Sequence, residues 1–236
     1  GMPTYTAQGD LNMARHAGHG EFIRMVLAPG DPIEAQELTS YAFYFSQKYK
    51  IPCIILSDKH LAESLYTIHE TPKLIKSEKT TNLKRYNSYA HDYNLAVATD
   101  DSAIIKENVE KRLAKQKEIE KESEKLDTFK LYGKKNSRNI ILFWGSTKGA
   151  VLDATNDLDV KSLQVLFLEP FSKKIKEEIQ NAKKIIIVEN NATSQLSSLI
   201  AEKLGIFIDD KNKILKYDGR PFLSDELKEE IKERLR

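Results

Sequence analysis

Cysteine is almost absent from this chain: Cys53 stands alone among 236 residues. One thiol excludes a disulfide within the chain. It also excludes an iron–sulfur cluster or a cysteine-held zinc supplied by this chain alone. Such usage suits a reducing cytoplasm. The sequence has no apolar run of about 18 residues, the length that marks a membrane helix, and no recognisable signal peptide. Net charge is nearly lacking as well. The 37 basic and 35 acidic side chains leave +2, too little to draw nucleic acid or a membrane surface by field alone. No internal repeat is visible. What is present suits a globular chain of about two domains: 40% apolar residues for cores and 31% charged residues for solvated faces.

Residues 1–70 read as strand, helix, strand. The apolar run Phe22 to Ala28 ends at Pro29-Gly30, a strand followed by a turn. Asp31-Pro32-Ile33-Glu34 predicts a helix start, with Asp31 as N-cap, proline at the first helical position and Glu34 closing a capping box. Leu38, Tyr41, Ala42, Phe45 and Tyr49 then repeat at helical spacing and form one apolar stripe. Ile51 to Asp58 is a second strand-like run. A single βαβ unit gives two parallel strands, which cannot stand alone because both faces and edges need cover. Missing chain, a partner or the following domain must complete it.

Residues 71–137 read as a connector. Polar, turn-rich sequence runs from Thr71 to Asp101, with Tyr86, Tyr89 and Tyr93 its only aromatics. Ala103 to Leu126 has high helix propensity and many opposite charges at i,i+4 spacing, the pattern of a solvated or bridging helix. Its narrow apolar stripe is Ile105, Val109 and Leu113. Residues 138–236 carry three continuous apolar runs, Asn139–Gly145, Leu163–Leu168 and Lys184–Glu189. Amphipathic stretches separate them, which predicts a parallel α/β sheet. Gly205 is placed to end one helix, and Ser224-Asp225-Glu226 to start the last.

Several polar clusters each admit two readings. Thr4, Thr6, Gln8 and Asp10 either line a functional loop or satisfy backbone groups in a turn. Gly145-Ser146-Thr147-Lys148-Gly149, between strand and helix, offers an anion cradle, or Ser146 or Thr147 simply caps the helix. The segment lacks the spacing of a nucleoside-triphosphate loop. Asn190, Asn191 and Gln195 lie at a strand's carboxyl end, where α/β ligand crevices form, or cap a helix. His16 and His19 are spaced as a metal pair without further ligands. His91-Asp92 is either a base with its orienting acid or a structural pair. Arg220 either crosses a subunit interface or pairs within its own turn, the latter worth about 0–1 kcal/mol.

The first eleven residues, Gly1-Met2-Pro3-Thr4-Tyr5-Thr6-Ala7-Gln8-Gly9-Asp10-Leu11, followed by Gly18-His19-Gly20-Glu21, resemble a stretch of the alpha subunit of the 2-oxoacid:ferredoxin oxidoreductases. Gly1 before Met2 reads equally as a tag remnant and carries no functional argument. Four further segments are similar in the same order: Asn87 to Asp92 with the Lys111-Arg112 helix, Phe143 to Gly149, Glu189-Asn190-Asn191 with Gln195-Leu196, and Tyr217 to Phe222. The resemblance implies an α/β chain in three parts. Residues 1–70 would be the C-terminal portion of a pyrimidine-binding, thiamine-diphosphate-fold domain. Residues 71–137 would be a connector with a charged helix, and residues 138–236 a three-layer, transketolase C-terminal-like domain.

The resemblance also implies the chemistry of the whole complex. A 2-oxoacid such as pyruvate or 2-oxoglutarate is oxidatively decarboxylated with thiamine diphosphate. Coenzyme A takes the acyl group, and electrons pass through iron–sulfur clusters to ferredoxin. By that resemblance Thr4, Tyr5, Thr6, Gln8 and Asp10 border the substrate pocket. Ser146, Thr147, Lys148, Asn190, Asn191 and Arg220 are candidates for contact with coenzyme A or a subunit interface. No catalytic residue or metal ligand is assigned. Tyr5 stands where the family often has Arg or Lys, Ala7 where it is often acidic, and Ser194 where it has glycine. The cofactors are expected mainly on partner chains, with none on this chain alone. Expected partners are a beta subunit, the first half of the alpha subunit and ferredoxin, in a cytoplasmic oligomer. Alone the chain is expected to be inactive. Two other readings remain: a non-catalytic assembly module derived from such an enzyme, and a nucleotide-binding module at Gly145 to Gly149.

Overall fold

A computed structural model describes residues 5–77, 89–92 and 97–236. Thr4, Tyr86, Asn87, Ser88 and Tyr93, all singled out above, lie outside the described residues. The opening block contains α1 (Leu11–His16), β1 (Met25–Leu27), α2 (Pro32–Tyr49), β2 (Cys53–Ile55) and α3 (Lys59–Glu63). The middle holds β3 (His91–Asp92), β4 (Val97–Ala98), α4 (Ser102–Ser123) and β5 (Phe129–Gly133). The remainder runs β6 (Asn139–Trp144), α5 (Lys148–Thr155), β7 (Lys161–Val165), β8 (Phe167–Glu169), α6 (Lys174–Ile179), β9 (Lys184–Glu189), α7 (Gln195–Leu204), β10 (Lys213–Leu215) and α8 (Ser224–Leu235).

The expected parallel sheet forms with strand order β10-β9-β6-β7-β5. Its strands are parallel except β5, which pairs antiparallel with β7. Alternate residues of β6 serve opposite faces, as the two-residue period of a strand requires. Ile140, Leu142 and Trp144 join a core with Leu11 and Ala14 of α1, Ile175 and Ile179 of α6, and Leu196, Leu199 and Ile200 of α7. Ile141 and Phe143 join another with Val151 and Ala154 of α5 and Leu227 and Ile231 of α8. Both faces are thus covered, which is why these strands read as continuous apolar runs. The strand β5 lies inside the stretch read as connector. None of its residues is fully buried, and Leu131 and Gly133 are exposed, as befits an edge strand.

The βαβ unit of the opening block is present, with β1 and β2 parallel and Met25 opposite Cys53. It is completed from within the chain. Strand β8 adds to the free edge of β1, antiparallel, giving the order β2-β1-β8. The apolar run 163–168, read as one strand, is therefore two. Its first part belongs to the large sheet and its last part to the small one. They separate at Leu166, where the Leu166 and Phe167 N–H groups both donate to Thr128 O at 3.0 Å. Ala28 N donates in turn to Leu166 O at 2.9 Å. All of these residues are buried, so nothing in their polarity marks the break.

Helix α2 starts as its sequence dictates: Asp31 Oδ1 accepts from Glu34 N at 2.8 Å. The predicted reciprocal bond differs, since Glu34 accepts from Gly30 N at 2.8 Å rather than from the N-cap N–H. All five residues of the α2 stripe are buried. Helix α4 packs on this helix through a face other than its predicted stripe. Ile105 and Leu113 stay exposed, while Asn108, Ile119 and Ser123 are buried. Ile119 enters the core of Leu38 and Phe45. Glu122 accepts from Tyr44 Oη at 2.5 Å, Lys48 Nζ at 2.7 Å and the Tyr49 hydroxyl. Against partial burial, these donors hold its carboxyl down at about 2. The bridging helix is thereby tied to the opening block at its C-terminal end. Gly205 ends α7 as expected. Helix α8 begins at Ser224 without a side-chain cap, its acidic first turn being Asp225 and Glu226.

Candidate functional site

The opening loop lies across the carboxyl ends of β6 and β9, the crevice where α/β sheets present backbone ends to ligands. Gln8, only 4% exposed, is its anchor. Its Nε2 donates to Trp144 O at 2.6 Å, and its Oε1 accepts from Asn190 N at 2.7 Å. Gln8 N donates to Asn190 O at 2.8 Å, and Gln8 O accepts from Asn191 Nδ2 at 3.2 Å. Gln195 fastens the next residues, donating to Gly9 O at 2.8 Å and accepting from Asn12 N at 2.9 Å. Gly145 makes the approach feasible. Its φ of +60° sits in the left-handed region, and a Cβ there would lie 2.7 Å from Gln8 Nε2.

The remaining loop residues divide. Thr6 is buried; its Oγ1 accepts from His60 N at 3.3 Å. Tyr5 is 41% exposed, and Asp10 is exposed and makes no side-chain bond to the helix it precedes. Between the loop, Leu56 to Asp58 and Trp144-Gly145 a cavity of only 10 Å³ remains, no more than the space of a single water. Replacing Gln8 with alanine leaves Trp144 O and Asn190 N buried without their partner. The expected loss is about 2–3 kcal/mol, with faster amide exchange along residues 5–12. Unchanged exchange and an unchanged unfolding midpoint would exclude the anchoring role.

The Gly145 to Gly149 segment turns its polar groups inward. Ser146 donates to Asp58, and Thr147 donates to Trp144 O at 2.7 Å, so neither caps α5. Lys148 enters a buried ionic cluster that joins the two sheets. Its ammonium contacts Asp31 and lies 2.6 Å from Glu34 Oε1. Glu34, 1% exposed, also accepts from Lys130 Nζ at 3.0 Å and Gln164 Nε2 at 2.7 Å. Burial pulls the Lys148 ammonium down, but Glu34 and Asp31 outweigh it and hold its pKa above the ordinary value. The cluster closes around Gly30. A Cβ at Gly30 would lie 2.6 Å from Gln164 Nε2 and 2.8 Å from Gly145 O.

Glu189, not singled out as a site residue in the sequence, lies directly beneath the loop with no exposed surface. Oε1 accepts from Leu196 N at 2.5 Å and Oε2 from Asn191 Nδ2 at 2.9 Å. The same Asn191 amide holds Gln8 O. Burial pushes the Glu189 carboxyl up to about 7 despite these donors. The sequence signal was a charged residue ending an otherwise apolar strand, Ile185-Ile186-Ile187-Val188-Glu189. Ser194, expected from the resemblance to stand at a glycine position, adopts the left-handed conformation with φ 49°. The turn into α7 thus takes a backbone that glycine would adopt freely.

Other sequence candidates do not converge on the loop. Among the described residues no group of three or more His, Cys, Asp or Glu is placed to hold a metal, so His16 and His19 gain no further ligand. His91 lies in β3, paired antiparallel with β4, where its Nδ1 is 2.7 Å from Tyr89 O and its carbonyl accepts from Asn108 Nδ2. The predicted turn ion pair of Arg220 is replaced. Asp218 pairs with Lys216 at 2.9 Å and accepts the Arg220 backbone N–H, leaving the guanidinium at the surface. Among the described residues no helix is long and apolar enough to cross a membrane.

Comparison with known proteins places this geometry. Residues 1–129 match the family described as pyruvate flavodoxin/ferredoxin oxidoreductase, thiamine diP-bdg. The 2-oxoacid:ferredoxin oxidoreductase subunit alpha of Saccharolobus solfataricus is 34% identical over 98% of this chain and 42% of its own length. The fold is that of the 2-oxoglutarate:ferredoxin oxidoreductase from Magnetococcus marinus, solved with 2-oxoglutarate, coenzyme A and succinyl-CoA bound. That structure is 24% identical, with a TM-score of 0.79 over 100% of this chain and 46% of that one. A split-gene transketolase, solved as an inactive beta4 tetramer, has a related fold at 10% identity and a TM-score of 0.51, over 97% of this chain and 61% of that one. The chain spans less than half the length of the alpha subunit it matches. With more than half of its residues matched to one family, and its loop, sheet and crevice arranged as described, the chain belongs to the pyruvate flavodoxin/ferredoxin oxidoreductase family.

Proposed function

We propose that this chain supplies part of the alpha subunit of a 2-oxoacid:ferredoxin oxidoreductase. That enzyme oxidatively decarboxylates a 2-oxoacid to an acyl-coenzyme A and passes the electrons to ferredoxin. The observation that carries the reading is the opening loop, pinned by Gln8 across the carboxyl ends of β6 and β9. A loop held this rigidly forms one wall of a substrate pocket, with Tyr5 and Asp10 left at its surface. Thr6, Gln8, Asn190, Asn191, Ser146 and Thr147 support that wall. Lys148 serves domain docking.

Thiamine diphosphate, the group named by the family match, does not fit the described residues alone. Glu34 and Asp31 are taken by Lys148, Glu189 is closed off by Leu196 N and the Asn191 side-chain amide, and the space under the loop is 10 Å³. The beta subunit, the remainder of the alpha subunit and ferredoxin are the partners this reading requires, with iron–sulfur clusters on those chains, in the cytoplasm. The test is co-expression with the upstream part of the alpha subunit and a beta subunit. Reduction of a viologen dye dependent on both a 2-oxoacid and coenzyme A is expected. An assembled complex with no such reduction sinks the reading. It would favour a non-catalytic assembly module, to which the neutral Tyr5 and the inward-turned Gly145 to Gly149 segment also point.

A further inference from the structure

A second cavity borders the loop at Thr6. It measures 220 Å³, and Thr6, Lys59, His60, Glu63 and Arg220 are among the residues that line it. Its walls are fixed. Thr6 N donates to Gly219 O at 3.4 Å, and Thr6 Oγ1 accepts from His60 N at 3.3 Å, so one residue ties the loop to both sides. Asn190 Nδ2 donates to Lys216 O at 3.0 Å and Arg220 O at 3.1 Å, holding the turn that carries the arginine.

The charge in this cavity is unbalanced. Glu63 is the one acid among its lining residues, and Lys59 lies 3.4 Å from it. Asp218, the acid nearest Arg220 in sequence, is taken by Lys216 at 2.9 Å. Among the described residues the Arg220 guanidinium has no ion-pair or hydrogen-bond partner, although its backbone N–H and C=O are both engaged. A guanidinium of this kind, on a pinned backbone beside a hydroxyl and an imidazole, presents a planar fork of donors matched to a planar or tetrahedral oxyanion.

We propose that this cavity is an oxyanion-binding subsite in which Arg220 holds the carboxylate or phosphate group of a small ligand against the opening loop. The cavity has room for one anionic group rather than a whole cofactor. The inference deepens the proposed function and rests on it only for the identity of the ligand. Binding itself requires neither the partner chains nor turnover, so the two readings fail separately.

The experiment is calorimetric titration of this chain at low salt with inorganic phosphate, coenzyme A and 2-oxoglutarate. It is run on the wild type, Arg220→Gln and Arg220→Lys. Saturable binding is expected to weaken about tenfold or more in Arg220→Gln. Arg220→Lys should recover part of the loss, because it restores charge without the fork. The melting temperature should not move, because the side chain is exposed. Binding of phosphate and coenzyme A without 2-oxoglutarate identifies a phosphate source, and the converse pattern a carboxylate source. Equal affinity in the wild type and Arg220→Gln overturns the proposal, as does the absence of saturable binding to the wild type by all three probes.

Discussion

Replacing Glu34 with glutamine is expected to lower the unfolding free energy by about 3–5 kcal/mol, a large fraction of what holds a domain of this size together. The substitution preserves shape and removes one charge. Lys148, 13% exposed at its side chain, then keeps Asp31 as its only carboxylate among the described residues, and Lys130 loses its contact at 3.0 Å. Breaking a buried pair from one side is costly because the remaining ion stays desolvated. The damage should be local. Glu34 belongs to α2, whereas Lys148, Lys130 and Gln164 belong to α5, β5 and β7 of the large sheet. Amide exchange in β1 and α2 should therefore accelerate before exchange in β6 and β9. A second change, Lys148→Met, should recover stability in the Glu34→Gln background while costing stability on its own. Additive single effects in that cycle, or a loss below about 0.5 kcal/mol for Glu34→Gln, would remove the cluster from the account of how the sheets dock.

Stability should fall by about 3 kcal/mol through Glu189 alone as pH rises from about 4.5 to about 7, and then level off. The ordinary value for this carboxyl is 4.5 and burial raises it to about 7 in the folded chain. Between those values the folded state holds a proton that the unfolded chain has released. Stability therefore decreases with rising pH across that window and is lost fully once the folded value is passed. Glu122 works in the opposite sense and in a different window. Its carboxyl sits at about 2 when folded against an ordinary 4.5, so its contribution is present above about pH 4.5 and lost on acidification. The two effects separate on the pH axis. Urea unfolding from pH 4.5 to 8, on the wild type and Glu189→Gln, measures the first of them. The difference between the two proteins should change by about 3 kcal/mol across the window. A constant difference means that Glu189 keeps its ordinary affinity for the proton. The loop should respond too, because Asn191 bonds both Glu189 and Gln8.

These effects follow from contacts between distant segments, and that distance separates what could be read in advance from what could not. The start of α2 was legible because Asp31, Pro32 and Glu34 act within one helical turn. Its stripe was legible because one face of a helix repeats every three or four residues. The runs at β6 and β9 were legible because a sheet covered on both faces needs apolar residues at every position. The edge strand β5 was missed within the expected connector, since a five-residue stretch with no fully buried residue carries little apolar signal. The division at Leu166 was missed because both halves of the run are equally buried.

The candidate site shows the same contrast. The opening loop was singled out by its resemblance to a family stretch, and Gln8, Asn190, Asn191 and Gln195 do meet there. Their meeting could not be derived from spacing, since more than 180 residues separate Gln8 from Asn190 and Asn191. Lys148 was read as a candidate ligand contact because it lies in a strand-to-helix segment that offers an anion cradle. The partners that occupy it, Asp31 and Glu34, lie 117 and 114 residues away.

Sequence alone determined the parallel α/β class, the start and apolar face of α2 and the family, because each depends on neighbours within a turn or on a run of residue types. Tertiary structure alone decided which strand shields the βαβ unit, which charges neutralise each other and which arginine is left over. Those outcomes depend on where low-dielectric interior brings distant groups together, and burial multiplies the energy of a charge or an unpaired donor far beyond its worth in an open chain.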